Sequence, residues 1–344
     1  MKTCFLCPGS YTGQVAVRGW PVPPELCDRD EAARSMDTAI RNCRLAEEAG
    51  FDWVSISEHH YSPGLMTPNP MILGAALSQA TSRVKIALLG PLVPLANPVR
   101  TAEEIAMLDA LSHGRVVVLF LRGTPNEHGT YGRIDAAATR EMTQEGVQLI
   151  RRAWTEPKPF AHHGKFFDFP NVAVWPRTLQ DPHPPIFYSG NSDESAAFAG
   201  TNRLSLAIGF AGLDGVKRQV EVYRKAARVA GWEPAHDNVL FRGRMVVAQS
   251  QAESDAILDR IAPHMRTAAL PGTTAPGAGG GDPTAGFAGI QFSGDPDAVV
   301  RRAEQMRDAG VGILDVAVIG AHGDMDRAMD VFREQLADRL RAIG

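Results

Sequence analysis

The chain has 344 residues and a formal net charge of -4, with 44% hydrophobic and 22% charged residues. That balance is the one found in ordinary globular proteins, and it leaves no basic footprint for nucleic acid. No apolar run is long enough to span a bilayer, and residues 1–7 lead into Pro8 and Gly9 rather than a signal-peptide core, so a cytoplasmic location is expected. The four cysteines are Cys4, Cys7, Cys27 and Cys43. Cys4 and Cys7 have C-x-x-C spacing, but no second pair follows, and positions three apart on a strand face opposite ways. Free thiols are therefore expected.

In chain order, residues 3–7 read as a first strand and 31–49 as a helix closed by Gly50. A mixed apolar run from Phe51 then ends abruptly in Glu58, His59 and His60, as a buried parallel strand with a functional tip would. A Pro-rich loop and a helix ending near Ala80 follow, then a strand over 84–89, a helix over 98–111 and a strand over 115–121. Residues 136–154 are helical, and 156–184 form an excursion rich in Pro, His and Phe, expected to be a small β insertion. Strands over 185–188, 204–208, 239–247 and 313–318 alternate with helices over 192–200, 215–230, 252–265 and 325–342. Residues 267–290 are rich in Gly and Pro and read either as a lid or as a tolerated insertion. The stretch from Gly294 to Asp297 has the form of a helix start with Asp at the cap. Eight strand–helix alternations predict one domain, a single closed (β/α)8 TIM-like barrel over 1–344 with insertions in its loops.

Barrel active sites gather at the C-terminal ends of the strands, so these ends supply the candidates. Imidazole moves protons near neutral pH, which singles out His59 and His60 beside Glu58. Arg122 follows an otherwise apolar strand ending in Leu121, where a guanidinium suits an anion. Ser189, Gly190, Asn191 and Ser192 open a helix whose free N–H groups and dipole attract phosphate, with Gly permitting close approach. No metal set is convincing: His59 and His60 are adjacent, and His162 and His163 lie in a loop without an evident carboxylate partner. Walker A and G-x-G-x-x-G sequences are absent. Aromatic and aliphatic residues near the mouth (Tyr11, Trp20, Tyr61, Leu65, Met66, Phe210) suit an apolar molecule or simple packing.

Several of these motifs resemble one family. Ala46-Glu47-Glu48-Ala49-Gly50-Phe51-Asp52, Ser57-Glu58-His59-His60, the stretches beginning at Asn97 and Leu108, and Leu121-Arg122-Gly123 are similar to the bacterial luciferase-like flavin monooxygenases. The resemblance implies a barrel that binds FMN, reduced by a separate flavin reductase, and uses O₂ to oxygenate a small organic substrate. Baeyer–Villiger insertion and hydroxylation are both within its range. It implies that His59 is a general base or hydroperoxide stabiliser, with Glu58 and His60 beside it. It also implies phosphate binding by Arg122 and the 189–192 turn, and a homodimer packed through the early helices. Bacterial luciferase has Cys where this chain has Leu121, which argues against long-lived light emission. Two alternatives carry over: a deazaflavin (F420)-dependent dehydrogenase and a non-catalytic flavin-binding protein.

Overall fold

The computed structural model describes residues 1–7, 9–15, 20–132, 134–265, 291–320 and 324–344. Its strands are β1 (Lys2–Cys7), β2 (Trp53–Ile56), β3 (Lys85–Leu92), β4 (Val116–Leu121), β5 (Phe160–His163), β6 (Asp168–Val172), β7 (Ile186–Ser189), β8 (Ser205–Gly209), β9 (Val239–Val246) and β10 (Ile313–Ile319). All but β5 and β6 close into a barrel, in the order β1–β10–β9–β8–β7–β4–β3–β2. The registers are parallel: Cys4 lies opposite Asp315, Asp315 opposite Arg242, and Leu88 opposite Val118. Between the strands run α1 (Arg29–Ala49), α2 (Pro70–Ala80), α3 (Pro98–Leu111), α4 (Thr139–Thr155), α5 (Asp193–Thr201), α6 (Leu213–Val229), α7 (Gln251–Met265), α8 (Pro296–Asp308), α9 (Met325–Gln335) and α10 (Ala337–Arg341). The expected barrel is the observed one.

Local chemistry sets the helix starts. Asn69 and Asn97 each precede a proline and accept hydrogen bonds from the N–H groups two and three residues on. Side-chain oxygen at the cap with Pro just inside the helix is a strong start signal. Asp295 caps α8 in the same way, bonding the Ala298 N–H at 2.8 Å. At the other end of α1, Gly50 has φ +96°, a backbone angle that side chains rarely adopt, and ends the helix before β2.

The described residues group into two compact units. The first comprises Met1–Cys7, Arg41–Ser55 and Phe187–Gly344. There Phe51 stacks on Phe332 with ring centroids 3.9 Å apart and meets Phe5 edge-on at 5.8 Å. Ser55 Oγ donates to Asp315 Oδ1 at 2.7 Å, and Arg242 Nε donates to Asp315 Oδ2 at 2.6 Å. Ser55 is on β2 and Asp315 on β10, with β1 between them in the barrel order, so this contact can form only inside the barrel. Cys4 lies against the same carboxylate, and burial followed by the Asp315 charge pushes its thiol well above the usual range.

The second unit comprises Pro8–Ile40 and Ile56–Ile186. Its strands β3 and β4 are nearly unbroken apolar runs with both faces buried, as parallel barrel strands must be. Buried Asp109 on α3 accepts from the Gln180 backbone N–H (2.9 Å) and side chain (2.7 Å), which ties the 156–184 excursion to the barrel. β5 and β6 form the β insertion expected in that excursion.

Three local expectations need correction. His162 and His163 lie on β5 rather than in a loop, and each meets a carboxylate, Glu145 at 3.3 Å and Asp168 at 2.6 Å. β2 stops at Ile56, so the Glu58-His59-His60 motif occupies the loop beyond it instead of the strand tip. The last helix breaks at Leu336, which leaves helical geometry at φ -121° so that Leu336 and Leu340 are both buried. The 267–290 segment lies outside the described residues.

Candidate active site

The loop after β2 carries two adjacent histidines, and each is held by a different carboxylate. His60 Nε2 bonds Glu58 Oε1 at 3.1 Å, while Glu58 Oε2 accepts the Leu92 N–H at 3.1 Å. The His60 side chain is only 1% exposed and packs edge-on to Tyr131 at 5.1 Å between centroids. Glu58 and His60 thus fasten this loop to the end of β3. His59 is placed differently: its Nδ1 lies 3.0 Å from Glu127 Oε1, and its side chain is 29% exposed. Its backbone N–H donates to Thr67 O at 3.2 Å, which fixes the base of the side chain.

Glu127 was not among the residues singled out from sequence. It sits in the loop after β4, with its side chain 6% exposed. Its other oxygen accepts from Thr124, through the backbone N–H at 2.8 Å and through the hydroxyl. Burial pushes this carboxyl up, but the hydrogen bonds from His59 and Thr124 outweigh burial and hold it below its ordinary value. Glu127 is therefore ionised at neutral pH and can only accept hydrogen bonds. A usable signal was present: a carboxylate and an imidazole, Glu127 and His128, follow the end of a barrel strand within seven residues.

Arg122 comes directly after β4, and Leu121, its last residue, is half-buried. The Arg122 side chain is exposed and makes no ion pair among the described residues. Its carbonyl accepts from His128 Nε2 at 3.0 Å, and Gly123 at φ +80° turns the chain there.

In the other unit, Ser189 ends β7 and Ser192 caps α5, accepting from the Ser195 N–H at 3.3 Å. Asn191 bonds Gly209 through its side chain, at 2.9 Å from the Gly209 N–H. Gly190 has a reason different from the expected one. Its N–H donates to Ala207 O at 2.8 Å, and a Cβ there would come within 2.0 Å of Leu206 Cδ1. Leu206, in the layer between the sheet and α5, leaves no room for a side chain there. Asp193 and Glu194 stand in the first turn of α5, and Asp193 is engaged by Arg218 at 2.6 Å and Gln219 at 3.0 Å. Among the described residues, no group of three His, Cys, Asp or Glu could hold a metal ion.

A sequence model of the luciferase-like monooxygenase family matches residues 17–312. An uncharacterized protein of Sinorhizobium fredii, y4wF, is 32% identical over 66% of each chain. The oxygenase component of a flavin-dependent trigonelline monooxygenase from Acinetobacter baylyi is 28% identical over 53% of this chain and 51% of that protein. The match thus spans between half and two-thirds of these relatives' lengths. Among solved structures, the monooxygenase RslO1 from Streptomyces bottropensis superposes with a TM-score of 0.80 at 25% identity, covering 98% of this chain and 99% of that one. With the barrel, the motif after β2 and a family match over most of its length, the chain belongs to the luciferase-like monooxygenases.

Proposed function

We propose that this protein is the oxygenase component of a two-component flavin monooxygenase. It takes reduced FMN from a separate flavin reductase and places one atom of O₂ into a small, mainly apolar organic substrate, the other atom leaving as water. The reading draws on the family match and on a relative named as the oxygenase component of a flavin-dependent enzyme. The single observation that carries it is His59, held at Nδ1 by a buried carboxylate while the rest of the ring reaches solvent. Reduced flavin, when bound, supplies the electrons and activates O₂. His59 moves the proton, and Glu58 and His60 keep its loop in place.

Exposed Arg122 fits a phosphate, and its planar fork makes charge-assisted bonds to such an oxyanion. Leu121 offers an apolar wall beside it. In the other unit, the α5 start at Ser189, Gly190, Asn191 and Ser192 is assigned an anion-binding role of its own, through backbone N–H groups other than that of Gly190, which donates to Ala207 O. Ile72 on α2 and Met107 and Leu111 on α3 are exposed apolar residues that support the homodimer reading. Light scattering that finds only monomer would remove that part.

The test supplies reduced FMN and O₂ with a panel of small ketones, aldehydes and aromatics, and measures the ratio of oxygenated product to hydrogen peroxide. Turnover of one substrate class is expected. His59→Asn should lower product by about 10²–10⁴-fold, the usual contribution of a positioned acid or base, and raise peroxide instead. An unchanged ratio would return His59 to a structural role. Binding of reduced deazaflavin in place of FMN would move the assignment to hydride transfer without oxygen.

A further inference from the structure

We infer that Glu127 is the positioning residue of the site: it fixes the tautomer of His59, so that Nδ1 carries the proton and Nε2 is the nitrogen offered to the reaction. The inference rests on the functional reading above only for its consequence in catalysis; the tautomer itself follows from the geometry of the free protein.

Neutral imidazole has one N–H and one lone pair, and whichever nitrogen faces a carboxylate must be the one that donates. His59 Nδ1 faces Glu127 Oε1 at 3.0 Å, so the ring donates there. The other oxygen is occupied by two donors, the Thr124 N–H and hydroxyl. Glu127 is thus anchored on one side by its own turn and acts on the other. The neighbouring pair makes the contrast. His60 uses Nε2 toward Glu58 and is enclosed, so it has no nitrogen to present.

The arrangement makes a sharp prediction for Glu127→Gln, which preserves shape. The Thr124 N–H and hydroxyl hold the amide oxygen on their side, which turns the NH₂ toward His59. An NH₂ can only donate, so Nδ1 must become the acceptor and the proton must move to Nε2. A substitution that changes almost no volume therefore inverts the tautomer, and an inverted histidine of this kind is known to cost catalysis while geometry survives.

The experiment is long-range ¹H–¹⁵N correlation on histidine-labelled, flavin-free protein, at a pH where His59 is neutral, with its signals assigned by loss in His59→Gln. In the wild type, Nδ1 is expected to be N–H and Nε2 a lone-pair nitrogen. The two exchange character in Glu127→Gln and return in Glu127→Asp. With reduced FMN and substrate, Glu127→Gln should lose about 10²-fold or more in kcat with little change in KM, and Glu127→Asp should recover part of it. A wild-type Nε2–H tautomer, or no exchange in a folded Glu127→Gln, overturns the inference. Should Glu127→Gln not fold, the wild-type spectrum alone decides. An inverted tautomer in a protein that oxygenates nothing with reduced FMN would leave the positioning role standing and remove the flavin reading.

Discussion

Asp315→Ala tests the interior of the barrel most severely. The carboxylate is fully buried, and its partner Arg242 is 15% exposed with Nε at 2.6 Å. The Ser55 hydroxyl donates to the same group at 2.7 Å. Removing one partner of a buried ion pair leaves the other charge uncompensated, at about 3–5 kcal/mol. The Ser55 hydroxyl loses its acceptor as well, an effect that overlaps with the first rather than adding in full. We take about 4 kcal/mol as the combined loss. Unfolding entropy of about 2.1 cal/mol/K per residue gives about 0.7 kcal/mol/K for a chain of this length, so Tm should fall by about 5–6 °C. Asp315→Asn keeps one acceptor and the shape, and should recover roughly half. Differential scanning calorimetry on the wild type and both variants makes the measurement. A drop of less than about 1 °C for Asp315→Ala would show that the Arg242 charge is solvated and that the interior layer is not a closed network.

Two further outcomes follow from the same structure. Alkylation of the native protein should label Cys27, which is exposed, and spare Cys4, Cys7 and Cys43 until the chain unfolds. Burial pushes the Cys4 thiol well above its usual range, and the bond Cys43 makes to Cys7, followed by burial, does the same for Cys43; native labelling of either would contradict this, as read by peptide mass. Glu145 accepts from the N–H groups of Lys165, Phe166 and Phe167. Burial opposes ionisation of Glu145, but these bonds and His162 hold its carboxyl below the ordinary value. A depressed carboxyl contributes stability above its unfolded pKa and loses it as pH falls through the folded one. Glu145→Gln should therefore speed hydrogen exchange at those three amides near neutral pH, with the gap from wild type closing in acid; a gap independent of pH would refute the charge-based anchor.

The barrel was legible because most of its strands are short apolar runs and several helices begin or end with a chemical signal, such as Asn97 before Pro98 or Gly50 after Ala49. His59, His60 and Arg122 were legible for a similar reason: polar groups stand out where an apolar strand stops. Glu127 was not, because its meaning lies in a contact 68 residues away in sequence, and its place after a barrel strand makes it a candidate without naming His59 as its partner. At Gly190 the sequence suggested a ligand cradle; what it could not show is that Leu206, packed between the sheet and α5, also leaves no room for a side chain. The interior layer of Ser55, Asp315 and Arg242 was invisible for the same reason as Glu127, since it joins three strands far apart in the chain.

The central claim is that a flavin phosphate is held by Arg122, whose exposed guanidinium follows the apolar β4 strand. Anaerobic titration with reduced FMN and reduced riboflavin, on the wild type and Arg122→Ala, tests it directly. The wild type should bind FMN more tightly than riboflavin, and Arg122→Ala should weaken FMN alone, by roughly 1.5–3 kcal/mol, the value of a charged hydrogen bond. Equal losses for both ligands, or no preference for the phosphate in the wild type, would contradict the account.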